Sequence, residues 1–432
     1  MKQDSVTERP WETYSESRRR VLLAILFLVS LSNYIDRHIV SILIEPIKHE
    51  FGASDAQMGL LTGFAFAGVY AVFGIPIARW SDRGNRRLII GTSVAVWSLA
   101  ATLCGMAQSF AQLALSRAGV GVGEAGAIPP SQSLVADYFP PERRTSAIGI
   151  LTSAATVAYI VVFTAGVALV DRYDWRTSFI ILALPGFFIA ALSLLGLSEP
   201  RQKSGRSVRH EPIKEAFLSL IRTPSYVFVV IAMTLYFVVA YGALTWFPAY
   251  MTRVLSWQLS DVGLTFALTK GLATLVGTLG GAYLTDRLGR NDQRWIARLP
   301  SLLLVGSFVF YMVSLASADQ TMFFGASFIA ATGIGAALPA MFSVLHLVCG
   351  GERRSMAVAI MFFFANFIGL GIGPLMTGLL SDEFTARYGV IGLRYALGVS
   401  MFAFIPSSIA MWICSRRLRC DLERMRIGAI KR

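Results

Sequence analysis

Charged residues are scarce in this chain. Asp, Glu, Lys and Arg together make up 15% of the 432 residues, whereas soluble domains carry roughly 25%. Hydrophobic residues reach 55%, and the mean hydropathy is +0.59. So little charge excludes an ordinary soluble globular protein, and the composition predicts a protein that crosses a membrane several times.

Cysteine and histidine are also rare, with four of each. The cysteines fall in apolar stretches or near basic segments, where we expect a reducing cytoplasm to keep them as thiols, so no disulfide is predicted. The histidines are too scattered to form a metal site with the cysteines, and neither a metal nor another cofactor is predicted. We interpret His38 as a core histidine with satisfied hydrogen bonds.

Three catalytic motifs are missing from the sequence. It contains no Gly-x-Ser-x-Gly hydrolase turn, no His-Glu-x-x-His zinc motif and no Gly-x-x-x-x-Gly-Lys-Ser/Thr nucleotide loop. Their absence argues against an intramembrane enzyme and against ATP hydrolysis, so we predict no catalytic residues.

Long apolar runs dominate the rest of the chain. A transmembrane helix needs roughly 20 mostly apolar residues to cross about 30 Å of hydrocarbon, and twelve runs meet this length. The sequence therefore predicts an all-α integral membrane protein with twelve transmembrane helices in two pseudo-symmetric six-helix bundles. The predicted spans are 20–43, 57–79, 88–107, 110–136, 146–169, 176–196, 226–250, 262–284, 297–317, 321–348, 356–380 and 391–414.

The chain repeats itself in its two halves. Ala78–Arg86 (ARWSDRGNR) and Ala282–Arg290 (AYLTDRLGR) share an Asp-Arg core, and their aspartates are 204 residues apart. A second pair of loops, each with a Glu-Arg-Arg sequence, begins at Glu142 and Glu352, which are 210 residues apart. Similar charged loops at matching places between apolar runs are typical of a duplicated membrane transporter.

The repeat sets the predicted domain organisation. Residues 1–19 form a cytoplasmic N-terminal segment, and residues 20–198 form the first six-helix bundle. A cytoplasmic linker at 199–225 leads to the second bundle at 226–414, which is followed by a basic cytoplasmic tail at 415–432.

The net charge of +13 is unevenly distributed along the chain. Most of the 39 Lys and Arg residues fall in segments that share a side with both termini, in clusters such as Arg18–Arg20 and the tail from Arg416. By the positive-inside rule this side is the cytoplasm. We therefore expect a multi-pass protein of the cell (inner) membrane with cytoplasmic N- and C-termini. The basic clusters contact anionic lipid and do not indicate a nucleic-acid partner.

Five charged residues lie inside predicted spans: Asp36 and Arg37 in the first, Arg117 and Glu124 in the fourth, and Lys270 in the eighth. A charge at membrane depth costs a few kcal/mol, so each of them is a candidate functional residue. Arg117 and Glu124 are two helical turns apart and share a helix face, about 10 Å from each other along the axis.

A proton-coupled switch is one use for these charges. Burial raises the pKa of a carboxyl group and a nearby guanidinium lowers it, so an exchange of partners loads or releases a proton. Asp36 and Glu124 are therefore the predicted proton-coupling residues, and Arg37 and Arg117 are their charge partners or substrate-binding residues. A static buried ion pair that fixes helix packing is the alternative.

Polar and aromatic residues of other spans are candidate substrate contacts. Charges in the first half and aromatic residues in the second half suit an amphipathic solute whose headgroup lies near Arg117 and Glu124. The alternatives are aromatics that face lipid or other helices and, for Lys270, a side chain that reaches the membrane interface. The candidates are Tyr34, Tyr236, Tyr241, Trp246, Lys270 and Asn366.

The repeated Asp-Arg loops are predicted to act as cytoplasmic gates. An aspartate just beyond a helix can cap the N–H groups of the next helix and pair with neighbouring arginines. Such contacts would hold the cytoplasmic side closed when the protein opens outward. A solvated, positively charged turn is the alternative, but it does not explain why the aspartate is repeated. The gating residues are Asp82, Arg83, Arg86, Asp286, Arg287 and Arg290.

At these residues the chain resembles the major facilitator superfamily, and the resemblance covers all twelve spans. The loop signature of that family, Gly-x-Leu-Ala-Asp-Arg-x-Gly-Arg-Arg, is matched by the Asp82 and Asp286 loops, with Ala78 and Ala282 in place of the first glycine. Arg117 matches the arginine of the family's fourth-span motif. The fifth span lacks the Gly-Pro pattern usual in drug–proton antiporters.

Within this superfamily the chain resembles the spinster-type lipid transporters. The resemblance lies in the Asn-Tyr-x-Asp-Arg motif at 33–37 and in the run SRAGVGVGEA at 116–125. It implies that Asp36 and Glu124 are protonatable and that the adjacent arginines are their partners or contact the substrate. Members of that family export sphingosine-1-phosphate or carry lysophospholipids.

Together these features predict a proton-coupled secondary active transporter with the major facilitator fold. It would move an amphipathic, lipid-like solute of the lysophospholipid or sphingosine-1-phosphate type by alternating access of its two halves. We expect a monomer whose partners are the solute, the proton and the bilayer. One alternative is a transporter of a small polar solute, an organic anion or a drug. More remote alternatives are an intramembrane enzyme and a sensor without transport activity.

Overall fold

The computed structural model describes residues 10–200, 213–317, 319–349 and 354–430, and within them all regular secondary structure is helical. The prediction of an all-α protein is therefore confirmed. The first nine α-helices are α1 (Glu16–Phe51), α2 (Asp55–Thr62), α3 (Phe64–Arg83), α4 (Arg86–Gly105), α5 (Phe110–Glu124), α6 (Ile128–Tyr138), α7 (Pro141–Val161), α8 (Val167–Arg172) and α9 (Trp175–Gly196). The others are α10 (Ile213–Ile221), α11 (Pro224–Arg253), α12 (Leu259–Phe266), α13 (Ala273–Asn291), α14 (Trp295–Ala316), α15 (Gln320–Cys349), α16 (Arg354–Phe364), α17 (Gly371–Tyr388), α18 (Gly392–Met401) and α19 (Phe404–Ile430).

Ten helical stretches in these ranges are long and apolar enough to cross a membrane. The predicted span 391–414 lies inside one of them, Met356–Arg424, which holds α16 to α19. Because α19 continues to Ile430, the predicted basic tail extends the last helix over most of its length. The chain is a multi-pass membrane protein.

The predicted span 110–136 is divided into two helices. α5 ends at Glu124 and α6 begins at Ile128. Pro129 and Pro130 lie in the first turn of α6, where a missing backbone N–H leaves no helical hydrogen bond unmade. The break therefore puts the carboxylate of Glu124 at a helix end inside the protein.

The chain separates into two compact units. The first holds the described residues up to Ile47 and those from Ala65 to the end of the first half, whereas the second holds 48–64 and the second half. The segment 48–64 thus leaves the predicted bundle at 20–198 and packs with the other unit. Its helix α2 lies against α17, where a Cβ atom on Gly59 would be 2.5 Å from the carbonyl oxygen of Pro374. Only glycine permits so close an approach.

Within the first unit, α4 packs against both α5 and α9. A Cβ atom on Gly123 would lie 2.6 Å from the backbone nitrogen of Trp97, so this glycine brings α5 close to α4. In the second unit, α15 packs against α13 and α14. Close packing of small residues replaces the hydrophobic driving force that lipid cannot supply between helices.

Three π-helical segments interrupt the α-helices. They are Val162–Gly166 between α7 and α8, Ala267–Leu272 between α12 and α13, and Ala365–Leu370 between α16 and α17. π-Helical turns are rare and frequently occur at functional sites. Two of these segments contain predicted site residues, Lys270 and Asn366.

Candidate functional site

The first unit brings charges of α1 and α5 into direct contact. Arg37 donates from Nε and Nη2 to Oε2 of Glu124, at 3.0 and 2.8 Å. Glu124 is fully buried and the Arg37 side chain is 10% exposed. Glu124 Oε1 has no hydrogen-bond partner among the described residues. The pair therefore leaves one carboxylate oxygen to receive a proton or a ligand donor.

Asp36 and Arg117 form the second half of this charge cluster. Both are buried, and Arg117 Nη1 donates to the backbone oxygen of Asp36 at 3.2 Å. The Asp36 carboxylate is within electrostatic reach of Arg117 and Glu124. Among the described residues Arg117 makes no ion pair at close range, and its Nε has no hydrogen-bond partner. A buried guanidinium that lacks a close counter-ion is costly and is a binding site for an anionic group.

Aromatic rings surround both guanidinium groups. The centre of the Arg37 guanidinium lies 5.0 Å from the ring of Phe66, 5.1 Å from Tyr70 and 5.7 Å from Tyr34. Arg117 lies 5.3 Å from the ring of Phe66. Each such contact contributes about 0.5–2 kcal/mol and replaces water around the cation. Tyr34, a predicted substrate contact, is therefore part of the same cluster.

Lys270 occupies a separate place in the second unit. Its Nζ donates to the hydroxyl of Tyr311 at 2.6 Å and lies 5.1–5.9 Å from the rings of Tyr311, Phe247 and Phe266. The aromatic faces meet the charge of this half-buried lysine. Its role as a substrate contact stays a prediction.

Trp246 and Tyr236 are buried in the second unit, with their polar atoms on neighbouring helices. Trp246 Nε1 donates to the carbonyl oxygen of Pro374 at 2.9 Å, and the Tyr236 hydroxyl donates to that of Ile334 at 3.3 Å. Buried indole and phenol groups usually find such partners. These bonds hold α11 against α17 and α15.

Tyr241 and Asn366 are the other predicted contacts of the second half. The ring of Tyr241 stacks on that of Phe237, with centroids 5.6 Å apart. Asn366 Nδ2 donates to the carbonyl oxygen of Phe362 in its own helix at 2.8 Å. Both side chains are partly exposed, so they stay candidate substrate contacts.

The gating loops are described in part. The side chains of Asp82 and Arg83 lie outside the described residues, while the side chains of Asp286, Arg287 and Arg290 are exposed.

Arg86, in the first of these loops, is fully buried. Its Nη2 lies 2.5 Å from Glu199 Oε1 and 2.7 Å from Asp137 Oδ2, and its Nη1 donates to Ser133 Oγ at 2.8 Å. Glu199 Oε2 also accepts from the backbone nitrogen of Arg86 at 2.6 Å. This cluster ties the start of α4 to the end of α6 and to the chain that follows α9.

Glu199→Gln is expected to destabilise the protein by about 3 kcal/mol, because it leaves a buried guanidinium without its main counter-ion. Thermal unfolding of the purified protein measures the effect. Asp137→Asn is the matched control: Asp137 is 27% exposed, so its removal is expected to cost at most about 1 kcal/mol. Equal unfolding temperatures for Glu199→Gln and the wild type would contradict this role of the Arg86 cluster.

The sequence did not indicate a second buried ion cluster, around Asp55 at the start of α2. Arg253 contacts both carboxylate oxygens, with Nη1 at 2.6 Å from Oδ2 and Nη2 at 2.9 Å from Oδ1. Lys48 Nζ and Ser381 Oγ lie 2.5 and 2.6 Å from the same carboxylate. Asp382 accepts two backbone N–H groups at the start of α2, both at 2.8 Å. The cluster fastens α2 to α11 and α17.

One part of this arrangement had a readable signal. Ser54 and Gln57 form a capping box at the start of α2, and the sequence pattern of such a box is local. The contacts of Asp55 with Arg253 and Ser381 join residues 198 and 326 positions apart, and no local pattern indicates them.

Comparison with known sequences gives concordant matches. The sequence profile of the Major Facilitator Superfamily matches residues 26–374. An MFS-type efflux pump of Mycolicibacterium smegmatis is 32% identical over 419 residues, which cover 95% of this chain and 96% of that protein. A hexuronate transporter of Bacillus subtilis is 26% identical over 411 residues, which cover 90% of this chain and 94% of that protein.

A solved structure matches over nearly the whole length. It is a crystal structure of a bacterial homolog to the human lysosomal transporter spinster, in an inward-facing and unoccupied conformation. The TM-score is 0.86 at 28% identity, and the match covers 94% of this chain and 99% of that chain. The resemblance to spinster proteins that the motifs indicated is confirmed.

Proposed function

We propose, from the premise that the chain belongs to the major facilitator superfamily, that this secondary transporter moves an amphipathic lipid-like anion and couples its movement to protons. Membership of that family makes it a transporter of small molecules and not an enzyme. The proposed solutes are of the lysophospholipid or sphingosine-1-phosphate type. Alternating access, the general mechanism of such transporters, is proposed for it as well.

The observation that carries the proposal is the buried charge cluster of the first unit. It holds two guanidinium groups, but only Arg37 is paired with a carboxylate, that of Glu124, at hydrogen-bond distance. Arg117 is buried beside it and surrounded by rings and a backbone oxygen. An anionic headgroup supplies the counter-charge that Arg117 lacks.

Proton coupling follows from the Arg37–Glu124 pair. When Glu124 takes up a proton, Arg37 loses its counter-ion and becomes a second site for the anionic headgroup. When Glu124 releases the proton, it pairs with Arg37 again and competes with the solute. Asp36 is the second proposed proton site because it lies within electrostatic reach of Glu124 and Arg117.

Aromatic residues support the lipid-like part of the proposal. Phe363 and Phe367 stack with their centroids 5.7 Å apart, and the ring of Phe64 lies 5.5 Å from Phe367. Phe363 is exposed on the protein surface. Such rings provide apolar area for an acyl chain.

An organic anion is the second candidate solute. The similarity to a hexuronate transporter favours it, because a hexuronate carries the anionic charge without the apolar chain.

The remaining features of the proposal concern gating and topology. We place the Asp82 and Asp286 loops on the cytoplasmic side as latches that close when the protein opens outward. The protein is proposed to be a monomer in the cell (inner) membrane, with both termini in the cytoplasm, since its basic segments fall on one side.

Flux through proteoliposomes with an imposed pH gradient tests the proposal. We expect gradient-dependent movement of a lysophospholipid or sphingosine-1-phosphate and none of glucuronate. The control is the double variant Arg37→Leu with Arg117→Leu, which should carry neither. Movement of glucuronate alone would replace the lipid solute with an organic anion, and no flux of any of them would contradict the proposed function.

A further inference from the structure

His38 is a buried histidine whose ring nitrogens have no use in the folded protein. The side chain is 4% exposed, and neither Nδ1 nor Nε2 has a hydrogen-bond partner among the described residues. The hydroxyl of nearby Ser41 donates to the backbone oxygen of His38 and not to its ring. The expectation of a core histidine with satisfied hydrogen bonds does not agree with this arrangement.

The ring is held in place by two tyrosines. Tyr159 of α7 stacks on the imidazole with centroids 4.3 Å apart and planes 17° apart. Tyr34, one helical turn earlier in α1, lies 6.1 Å away with its plane tilted by 18°. Parallel rings cover the faces of the imidazole, so the edge that carries its nitrogens is left for hydrogen bonding.

Position and chemistry together indicate what this edge binds. His38 follows Arg37 directly, and the ring of Tyr34 contacts both residues. A neutral imidazole offers one donor and one acceptor. A carboxylate or phosphate only accepts hydrogen bonds and an ammonium only donates them, whereas a hydroxyl does both. Unsatisfied buried polar atoms in a native protein require an explanation, and a ligand that satisfies them is one.

We propose that His38 hydrogen-bonds a hydroxyl group of the transported solute, while Arg37 and Arg117 hold its anionic group. This inference rests on the proposed function, because it assumes a solute bound beside these arginines. It specifies the solute class further as an anion that carries a hydroxyl near its charge. Both a lysophospholipid headgroup and a sugar acid have this chemistry.

The first test compares binding of paired probes to the purified protein. One pair is lysophosphatidate and the alkyl phosphate of equal chain length that lacks the hydroxyl. The other is glucuronate and hexanoate. The wild type should prefer the hydroxylated member of one pair by about tenfold, which corresponds to one hydrogen bond. The pair that shows the preference identifies the source of the anion.

In His38→Phe this preference should fall to about twofold, with unchanged affinity for the probe without a hydroxyl. His38→Asn should restore part of it, because an amide also donates and accepts. His346→Phe, which changes a histidine of α15, is the matched control and should keep the preference. A structural role for His38 would instead weaken both members of a pair equally.

A second measurement needs no ligand. His38→Phe should raise the unfolding temperature of the ligand-free protein, because it replaces an unpaired polar ring with an apolar one between the same tyrosines. A lower unfolding temperature would overturn the inference, since it would mean that the nitrogens are already bonded. If hydroxylated probes bind and His38→Phe keeps the preference, only this inference fails. If no anionic probe binds the wild type, the proposed function fails and this inference fails with it.

Discussion

Glu124→Gln is expected to lower proton-gradient-driven solute accumulation by about 100-fold or more. Glutamine cannot carry the proton, and it leaves Arg37 without its counter-ion, an effect of about 3 kcal/mol for a buried pair. The measurement is uptake of the solute into proteoliposomes with and without a pH gradient. Exchange of solute at equal concentrations on both sides should persist, because it needs no net proton movement.

The control for this variant is Glu383→Gln. It removes a carboxylate of α17 that is exposed and paired with Arg387 one helical turn away, so accumulation should be unchanged. Asp36→Asn is expected to act like Glu124→Gln. Full accumulation in both Asp36→Asn and Glu124→Gln would contradict proton coupling through this cluster and would support a static ion pair that fixes the packing of α1 on α5.

Asp55→Ala is expected to release α2 from α17 and to expose the residues beneath it. The change leaves Arg253 and Lys48 without their shared carboxylate and removes the acceptor of Ser381. Loss of one member of such a buried cluster costs about 3–5 kcal/mol. Alternating access requires segment 48–64 to separate from its neighbours in one state, so the variant should populate that state more often.

Cysteine accessibility measures this change. Met58 is fully buried on α2, and Met58→Cys reports when the helix lifts. Cys420 is the exposed native cysteine, so the reporter is built with Cys420→Ser. We expect labelling by a membrane-impermeant maleimide to rise by at least about tenfold in Asp55→Ala. Glu383→Gln, next to Asp382, should leave labelling unchanged. Equal labelling in Asp55→Ala and the parent would show that the cluster does not hold α2 down.

Local features of the chain explain which predictions succeeded. A span is readable because the length and polarity of one continuous stretch decide whether it enters a membrane. Breaks within a span are less readable. Pro129 and Pro130 indicated the end of α5, but the π-helical segment around Lys270 has no comparable sequence signal. It forms where α12 joins α13 in contact with neighbouring helices.

Charge at membrane depth identified Asp36, Arg37, Arg117 and Glu124 because its cost does not depend on the fold. The sequence left open which arginine pairs with which carboxylate. Arg37 reaches Glu124 across 87 residues of sequence, and this choice depends on how closely Gly123 lets α5 approach α4.

The sequence by itself determined the membrane class, the repeat in two halves and the charged residues of the candidate site, since each is a property of one short stretch. The tertiary structure alone decided that Arg37 takes Glu124, that Asp55 joins α2 to α11 and α17, and that the ring nitrogens of His38 are left unpaired. The physical reason is that a hydrogen bond or ion pair requires atoms within about 3 Å. Only the packing of helices far apart in the chain sets that distance.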